Sequence, residues 1–393
     1  MKKGALSRMQ LAVLVWAGVL APAAELLPGA ALSAGRGAWL APLAALPLVL
    51  LSVCLLTRLA GDKGLARGIL DGLGPRFGWG VLFLYMMWAL ALLALRLRLC
   101  AGRMLSSGYR DGAMPYFLLA AAGMVFWLAG GSLAAFARAG QLFFLVLAVT
   151  GGAILLLSLP QVRTVRLLPL WTGDVVPVLQ SGFAAAGVLG WGSCWAFLTE
   201  EMPSDGKGSC RRTALGCVIL ALTQGVILGS LGPALAGRLD SPFLALAKSV
   251  GVEGAFQRVE SVVAALWVMA DVTMACLLTF ALRAMLAAAA PQRQEKWTGR
   301  IAVVLAAGIA LFLPGRQMER LEHLALWANL WSGLAMPILL GTWIKALAYI
   351  IRTSPVCQLF FTGFFLFFYV SPEPPQSPVD SPAPRLCFPS LSL

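Results

Sequence analysis

The apolar residues of this chain fall into about ten separated runs, and most of these runs are long enough to cross a bilayer. A helix needs about 20 apolar residues to span the hydrocarbon core. The runs 38–59 and 262–286 reach this length. The pattern therefore predicts an all-α polytopic membrane protein with about ten transmembrane helices.

The predicted helices divide into two halves of five. Those of the first half are Leu11 to Leu32, Ala38 to Leu59, Trp79 to Leu97, Pro115 to Leu133 and Gln141 to Leu159. Those of the second half are Gly182 to Leu198, Ala214 to Leu235, Val259 to Leu286, Ile301 to Leu313 and Leu324 to Ile351.

Three parts follow along the chain. They are a cytoplasmic N-terminus over residues 1–10, one membrane domain over 11–351 with halves 11–159 and 182–351, and a terminal segment over 352–393. In the terminal segment, Val356 to Val370 is apolar and Phe-rich but shorter than a usual span. Ser371 to Leu393 is rich in Pro and Ser, so we expect it to be disordered.

The composition of the chain also indicates a membrane protein. The chain is 60% hydrophobic and 12% charged, with a mean hydropathy of +0.84, which excludes a soluble domain with an ordinary polar surface. Its net charge of +13 comes from basic residues that lie singly between apolar runs. This distribution indicates lipid headgroups rather than nucleic acid as the counter-charge. The placement of Lys and Arg favours cytoplasmic termini, although a loop with Arg96, Arg98, Arg103 and Arg110 opposes it.

The first predicted helix is interrupted by two prolines, a glycine and a carboxylate between Ala21 and Gly29. Proline removes a backbone donor, and hydrocarbon cannot satisfy the carbonyl that is left, so such a break persists where it lines a cavity. The alternative is a proline kink with the carboxylate at the outer interface. The candidate ligand-binding residues of this helix are Gly18, Ala21, Pro22, Glu25 and Pro28.

The sixth predicted helix carries Gly187, Gly190 and Gly192 around Trp191. Glycines weaken a helix and let a ligand or another backbone approach closely, so close helix packing is the alternative to a ligand site. Helices one and six open the two halves. Interrupted helices at corresponding places in two halves indicate a midplane binding site, and the three glycines are therefore ligand-binding candidates.

The eighth predicted helix places Asp271 and Thr273 near its middle. A carboxylate at this depth is costly unless it is paired or hydrated. Two interpretations stay open for Asp271: it binds a cation or proton, or it pairs with a buried polar group. Both residues are candidates for the ligand site. Gln224 in the seventh helix is interpreted as an interhelical hydrogen-bonding residue, and Asn329 and Pro337 offer a polar group and a kink in the tenth.

Several segments resemble the endospore germination permeases, the B subunits of GerA-type germinant receptors in the amino acid, polyamine and organocation superfamily. The resemblance runs from about Leu6 to Ile351. It is carried by Ser7-Arg8-Met9-Gln10, Leu27-Pro28, Ala34-Gly35-Arg36-Gly37-Ala38-Trp39-Leu40, Ala137-Arg138-Ala139, Phe256-Gln257-Arg258-Val259-Glu260-Ser261 and Trp267-Val268. The chain departs from the family pattern at Gly37, where an acidic residue is common, and in its long Pro- and Ser-rich tail.

The resemblance implies a five-plus-five inverted repeat with broken helices one and six, and a small-ligand pocket between helices one, three, six, eight and ten. It also implies a subunit that senses amino acids or similar germinants in the spore inner membrane, beside a larger membrane subunit and a lipoprotein. A secondary amino acid transporter with the same fold is the alternative function. The transporter, unlike the receptor, needs alternating access and usually a coupling ion.

Enzyme functions have little support in the sequence. The single histidine, His323, lies in a short predicted loop beside Glu322, and no zinc-protease motif, nucleophile elbow or P-loop lysine is present. The eight cysteines form no CxxC pair, and we interpret them as small packing residues. We therefore expect no enzymatic activity and no metal or cofactor.

Overall fold

The computed structural model describes most of the membrane domain. The described residues are 6–61, 63–106, 113–168, 174–200, 206–239, 241–249, 259–290, 295–313 and 315–343. The end of the predicted tenth helix, the Phe-rich segment and the Pro- and Ser-rich tail lie outside these residues. So do the first five residues and Arg110.

Within the described ranges, every regular element is a helix. The long helices are α1 Arg8–Ala30, α2 Leu46–Ala60, α3 Leu65–Ser106, α4 Met114–Ala129, α5 Leu133–Ser158, α6 Val175–Leu189, α7 Gly206–Leu231, α8 Val259–Ala289, α9 Glu295–Phe312 and α10 Gly315–Leu330. Among the described residues, eight helical spans are long and apolar enough to cross a membrane, whereas Met114–Ala129 and Trp297–Phe312 are shorter apolar helices. The ten predicted helices are thus confirmed.

Short helical segments connect the long ones. They are the 3₁₀ segments Leu32–Leu40, Leu159–Gln161, Thr164–Arg166 and Gly190–Leu198, and the short α-helices Ala41–Ala44, Pro233–Ala236 and Pro242–Ser249. A π-helical turn, Trp331–Ala335, continues α10. The last of the short α-helices, Pro242–Ser249, packs against the buried carboxylate of Glu25.

The start of α1 follows directly from its sequence. The Ser7 side chain accepts a hydrogen bond from the Gln10 amide at 3.1 Å, and the Gln10 side chain accepts one from the Ser7 amide at 3.0 Å. This reciprocal capping box satisfies two amide donors that the first helical turn leaves without partners. The Ser7-to-Gln10 motif therefore fixes where the first membrane helix begins.

The predicted interruption of α1 between Ala21 and Gly29 is wrong, because the helix continues through Pro22 and Pro28 to Ala30. Pro28 has no N–H to donate to the carbonyl of Ala24, four residues earlier. The side-chain amide of Gln224 on α7 donates to that carbonyl instead, at 3.2 Å. A neighbouring helix thus replaces the missing donor, which is how proline is tolerated within membrane helices.

The predicted break in the sixth helix is confirmed. The α-helical geometry of α6 ends at Leu189 and a 3₁₀ segment follows from Gly190 to Leu198. The tenth helix is also irregular, since its π-helical turn begins at Trp331. Such turns displace backbone carbonyls from their usual partners.

The third helix is longer than predicted. It is kinked at Gly74, where φ is 76°, and it then continues to Ser106. Arg96, Arg98 and Arg103 therefore lie inside α3, where Arg96 and Arg103 pair with Asp271 and Arg98 donates to the Ala310 carbonyl. These three arginines are therefore not loop residues. When they are left out of the count of Lys and Arg in the external loops, the preference for cytoplasmic termini becomes stronger.

The centre of the bundle is formed by α1, α3 and α8, whose apolar spans are the most buried. At Gly18, an added Cβ would lie 3.2 Å from the backbone of Met274, so α1 and α8 cross with their backbones close together. Gly18 therefore serves helix packing. Small residues at such crossings are typical of membrane helices.

Candidate functional site

A buried ion cluster joins α3 and α8. Arg96 Nη1 lies 3.0 Å from Asp271 Oδ1, and Arg103 Nε lies 3.4 Å from Asp271 Oδ2. The side chains of Arg96 and Asp271 are only 1% and 0% exposed. Of the two interpretations of Asp271, the structure has the paired one, and the charge that a coupling cation needs is already matched by two guanidinium groups.

The α6 break is tied to this ion cluster by an aromatic ring. The guanidinium carbon of Arg96 lies 3.9 Å from the centre of the Trp191 ring, within the range of a cation–π contact. Trp191 is itself 2% exposed. The Thr273 hydroxyl donates within its own helix to the Met269 carbonyl at 2.8 Å, and so makes no hydrogen bond to Asp271 in this arrangement.

Glu25 is buried at 4% exposure and does not lie at an exposed interface. Its Oε2 accepts a hydrogen bond from the Phe243 amide at 3.2 Å, at the beginning of the short helix Pro242–Ser249. A carboxylate is favoured there by the free amides and the dipole of a helix N-terminus. The Phe243 ring stacks on Trp267 of α8, with centroids 4.6 Å apart. Glu25 thus holds the short helix against α1 and α8.

An open cavity lies on the other side of α1 and α6. It encloses about 950 Å³, including the space at its mouth, and is bordered by α1, α2, α6, α7 and α10. Its walls are mostly apolar, and the residues that line it include Arg8, Val15, Val19, Ser52, Gly190, Gly192, Ser193, Ser209, Arg212, Thr213, Asn329 and Gly333. The predicted pocket had α3 and α8 as walls, whereas this cavity has α2 and α7.

The floor of the cavity is polar because two irregular helices meet there. The Ser52 hydroxyl donates to the Gly333 carbonyl in the π-helical turn at 2.6 Å, and the Ser193 hydroxyl donates to the Gly190 carbonyl at 2.6 Å. Because each hydroxyl donates its hydrogen to a carbonyl, its oxygen remains available as an acceptor. The floor therefore offers acceptors to a ligand that carries N–H or O–H groups.

Asn329 fixes the relative position of the two irregular helices. Its amide nitrogen donates to the Gly187 carbonyl at 2.8 Å, and its oxygen accepts from the Trp88 indole at 2.9 Å. The Tyr85 hydroxyl donates to the Ser332 carbonyl in the π-helical turn at 2.9 Å. Side chains of α3 thus hold α6 and α10 in place from behind the cavity.

The opposite end of the cavity is basic. Arg8 from the first turn of α1 and Arg212 from the beginning of α7 border it, together with Ser209 and Thr213. Arg8 and Val19 are eleven residues apart in α1, which at 1.5 Å per residue gives the cavity a length of about 16 Å. It is thus an elongated, mainly apolar chamber with cations at one end and hydroxyl acceptors at the other.

The three glycines of α6 have different surroundings. An added Cβ at Gly187 would lie 2.7 Å from the Leu326 carbonyl oxygen, and one at Gly190 would lie 2.7 Å from the Asn329 Cβ. One at Gly192 would meet only the methyl groups of Val15 and Val19, at 3.1 and 3.3 Å. Gly187 and Gly190 therefore permit close packing against α10, whereas Gly192 faces α1 beside the cavity.

Of the ten predicted site residues, the structure places only Gly190 and Gly192 on the cavity wall. Glu25 and Asp271 lie in polar contacts elsewhere, and the other six, namely Gly18, Ala21, Pro22, Pro28, Gly187 and Thr273, are packed within the helices. Sequence reasoning missed Ser52 and Ser193. The only signal for Ser193 was its place directly after Gly192, and Ser52 is a single hydroxyl in an apolar run.

Comparison with known protein families gives one match that covers most of the chain. The family of spore germination proteins, the spore permeases, matches residues 5–316. No curated protein sequence matches the chain significantly.

Solved structures share the fold. MhsT in complex with L-phenylalanine aligns with a TM-score of 0.60 and 13% identity, over 83% of this chain and 87% of that one. Mhp1, a nucleobase-cation-symport-1 family transporter in a closed conformation with bromovinylhydantoin bound, aligns with a TM-score of 0.57 and 13% identity, over 86% and 77%. At this identity the likeness concerns the fold. The chain is thus an integral membrane protein with the five-plus-five helix fold of these transporters, and it belongs to the spore germination protein family.

Proposed function

We propose that this protein is the germinant-sensing membrane subunit of a spore germination receptor, and that it binds a small molecule such as an amino acid in the cavity between α1, α2, α6, α7 and α10. One observation carries the choice of site: the α6 break and the α10 π-helical turn meet at the polar floor of that cavity. Irregular backbone at membrane depth is tolerated where it lines a cavity.

The cavity suits a ligand with a polar head and an apolar body. The head donates hydrogen bonds to the oxygens of Ser52 and Ser193, as the ammonium group of an amino acid does, and the apolar walls contact its side chain. The end of the cavity with Arg8 and Arg212 suits a second anionic group carried by the far end of the ligand, such as an acidic side chain, because the α-carboxylate of an amino acid stays beside its ammonium group. The continuous α1 offers no free backbone donors between Ala21 and Gly29, so this stretch does not form an anion site.

Transport of an amino acid by the same fold is the second candidate function. Alternating access in this fold is usually coupled to a cation. Asp271 is already paired with Arg96 and Arg103, so its negative charge is not available to bind a cation. This pairing supports sensing over cation-coupled transport. Binding that does not depend on sodium, without uptake into vesicles, is the expected behaviour.

The remaining parts of the proposal follow from family membership. We propose that the protein acts in the spore inner membrane beside a larger membrane subunit and a lipoprotein, and that it binds its ligand without catalysing a reaction. Co-purification of the chain with the products of neighbouring genes tests the partners. Fractionation of dormant spores tests the location.

Ligand binding is tested with the purified chain in lipid nanodiscs and a panel of radiolabelled amino acids. Ser193→Leu places bulk on the polar floor, and Ser193→Ala removes only the hydroxyl oxygen. We expect the first variant to abolish binding and the second to weaken it by about tenfold, the value of one hydrogen bond to a charged group.

The matched control is Val146→Leu on α5, an exposed position remote from the cavity walls. It should bind like the unaltered chain. Unchanged binding by both Ser193 variants contradicts the choice of cavity. Ligand uptake into sealed vesicles, driven by a sodium or proton gradient, supports the transporter instead.

A further inference from the structure

The structure brings two cysteines into contact that are 156 positions apart in the sequence. The sulfur atoms of Cys54 on α2 and Cys210 on α7 lie 3.3 Å apart. Cys54 is exposed and Cys210 is half-buried, whereas the other described cysteines, Cys100, Cys194, Cys217 and Cys276, are buried. A thiol pair in contact therefore differs from the packing role expected of cysteines within a membrane bundle.

The pair lies near the polar end of α7. Cys210 is in the first turns of that helix, among Lys207, Arg211 and Arg212, and Cys54 is six residues before the end of α2. At 1.5 Å per residue these positions are about 6 and 9 Å from the helix ends. Both are therefore close to the membrane surface that carries the basic residues.

The pair lies next to residues of the cavity wall, although neither cysteine lines the cavity itself. Val53 and Leu56 flank Cys54, Ser209 and Arg212 flank Cys210, and all four of these neighbours line the cavity wall. A bond between the two sulfurs would fix the spacing of α2 and α7 beside the basic end of the cavity. The cysteine pair thus joins the two helices that distinguish this cavity from the predicted pocket.

We propose that Cys54 and Cys210 are a redox modification site, at which a peroxide converts the two thiols into a disulfide that links α2 to α7. The first thiol attacks the peroxide, its O–O bond breaks, and a sulfenic acid and one water (or alcohol) form. The second thiol displaces the sulfenic hydroxyl as water and forms the S–S bond. Two electrons pass from the sulfur pair to the peroxide, and a dithiol reductant reverses the step.

The geometry requires only a small adjustment. A disulfide has a sulfur–sulfur distance of about 2.05 Å, so the two sulfurs must approach by little more than 1 Å, roughly the scale of side-chain rotation. The bond would join two helices that are already packed together. The linked state therefore keeps the arrangement of α2 and α7 and removes their freedom to separate.

The test uses the full chain in nanodiscs, treated with hydrogen peroxide, denatured and labelled with a maleimide polymer that counts free thiols on a gel. The oxidised chain should lose two of its eight reactive thiols. A peptide linked through Cys54 and Cys210 should appear by mass spectrometry and disappear after reduction with dithiothreitol.

Cys54→Ser and Cys210→Ser should give no linked peptide, and each should lose at most one thiol, the remaining cysteine of the pair oxidised to a sulfenic acid. Cys217→Ala, which removes a buried cysteine of the same helix, should still lose two. Mass spectrometry of the unaltered chain needs no variant to fold. Eight reactive thiols after peroxide treatment, a linkage at other cysteines, or a linkage between two copies of the chain would each overturn the proposal.

Discussion

The two sides of the α1 and α6 pair differ in what fills them. On the side of α3 and α8, Asp271 is matched by Arg96 and Arg103, and Trp191 covers Arg96. On the side of α2 and α7, helices α1 and α6 border an open cavity with hydroxyl acceptors at its floor. A broken helix therefore identifies the region of a binding site but not the side on which the ligand fits.

The 3₁₀ geometry of the α6 break explains how one segment serves both sides. With about three residues per turn, neighbouring residues of such a segment point in very different directions. Trp191 reaches the ion cluster, while Gly190 and Gly192 on either side of it border the cavity. The break thus connects the sealed region around the ion cluster with the open cavity, and substitutions in the two regions should have different effects.

The largest effect is expected in the sealed region. Asp271→Asn removes the carboxylate charge that pairs with the buried Arg96 and also contacts Arg103, and breaking a buried ion pair in this way costs about 3–5 kcal/mol. We expect a large loss of folded protein in a thermal-shift or denaturant titration in detergent.

The double variant Arg96→Met with Asp271→Leu removes the two fully buried charges and leaves Arg103, which is 13% exposed, so it should recover part of that stability. Full stability of Asp271→Asn would show that the charges are not coupled in the folded protein. It would then reopen the interpretation of Asp271 as a cation site.

The second prediction compares two glycines of the α6 region. Gly187→Ala drives a methyl group against the Leu326 carbonyl at 2.7 Å and should destabilise the fold by about 1–3 kcal/mol. Gly192→Ala meets only the flexible ends of Val15 and Val19 and should leave stability nearly unchanged. Thermal unfolding of both variants measures the difference.

Ligand binding completes this comparison. Gly192→Leu adds more bulk at the cavity wall and should block binding of a ligand that the unaltered chain binds in nanodiscs. Equal thermal stability of the two alanine variants would contradict the division into packed and open surroundings. Normal ligand binding by Gly192→Leu would remove this part of the wall from the site.

The number of helices and the α6 break could be predicted because apolar length and clustered glycines are local signals. The continuity of α1 could not, since the donor that replaces the N–H of Pro28 belongs to Gln224, far along the chain. The cavity escaped prediction for a similar reason. Sequence alone does not show that Ser52 of α2 faces the π-helical turn of α10.

Arg96 is a second residue whose position could not be predicted, because its partners lie far away in the sequence. Charged residues at the end of an apolar run normally indicate the membrane surface, and the predicted third helix accordingly ends at Leu97. In the structure Arg96 is fully enclosed because Asp271 and Trp191 are its partners. An intramembrane charge is thus predictable as functional or paired, but its partner comes from another part of the chain.

The third prediction concerns the proline at the outer part of α1. Gln224→Leu removes the donor to the Ala24 carbonyl and should cost about 1 kcal/mol, the net value of one buried hydrogen bond. In a Pro28→Ala background the helix supplies its own N–H, so the same substitution should cost less. A double-mutant cycle by thermal unfolding measures this coupling, and equal costs in both backgrounds would show that Gln224 does not substitute for the proline.

The smallest effect is expected at Glu25, which lies on the α8 side but caps a connecting helix. Glu25→Gln keeps an oxygen acceptor for the Phe243 amide and replaces a charged hydrogen bond by a neutral one, a loss of about 1 kcal/mol or less. Because the substitution weakens the hydrogen bond from the Phe243 amide, we expect the largest increase in hydrogen exchange in the short helix Pro242–Ser249. Glu25→Leu removes the acceptor altogether and should increase that exchange further. If both variants exchange like the unaltered chain, the short helix is held by the packing of Phe243 on Trp267, and the carboxylate contributes nothing to closing this side of the bundle.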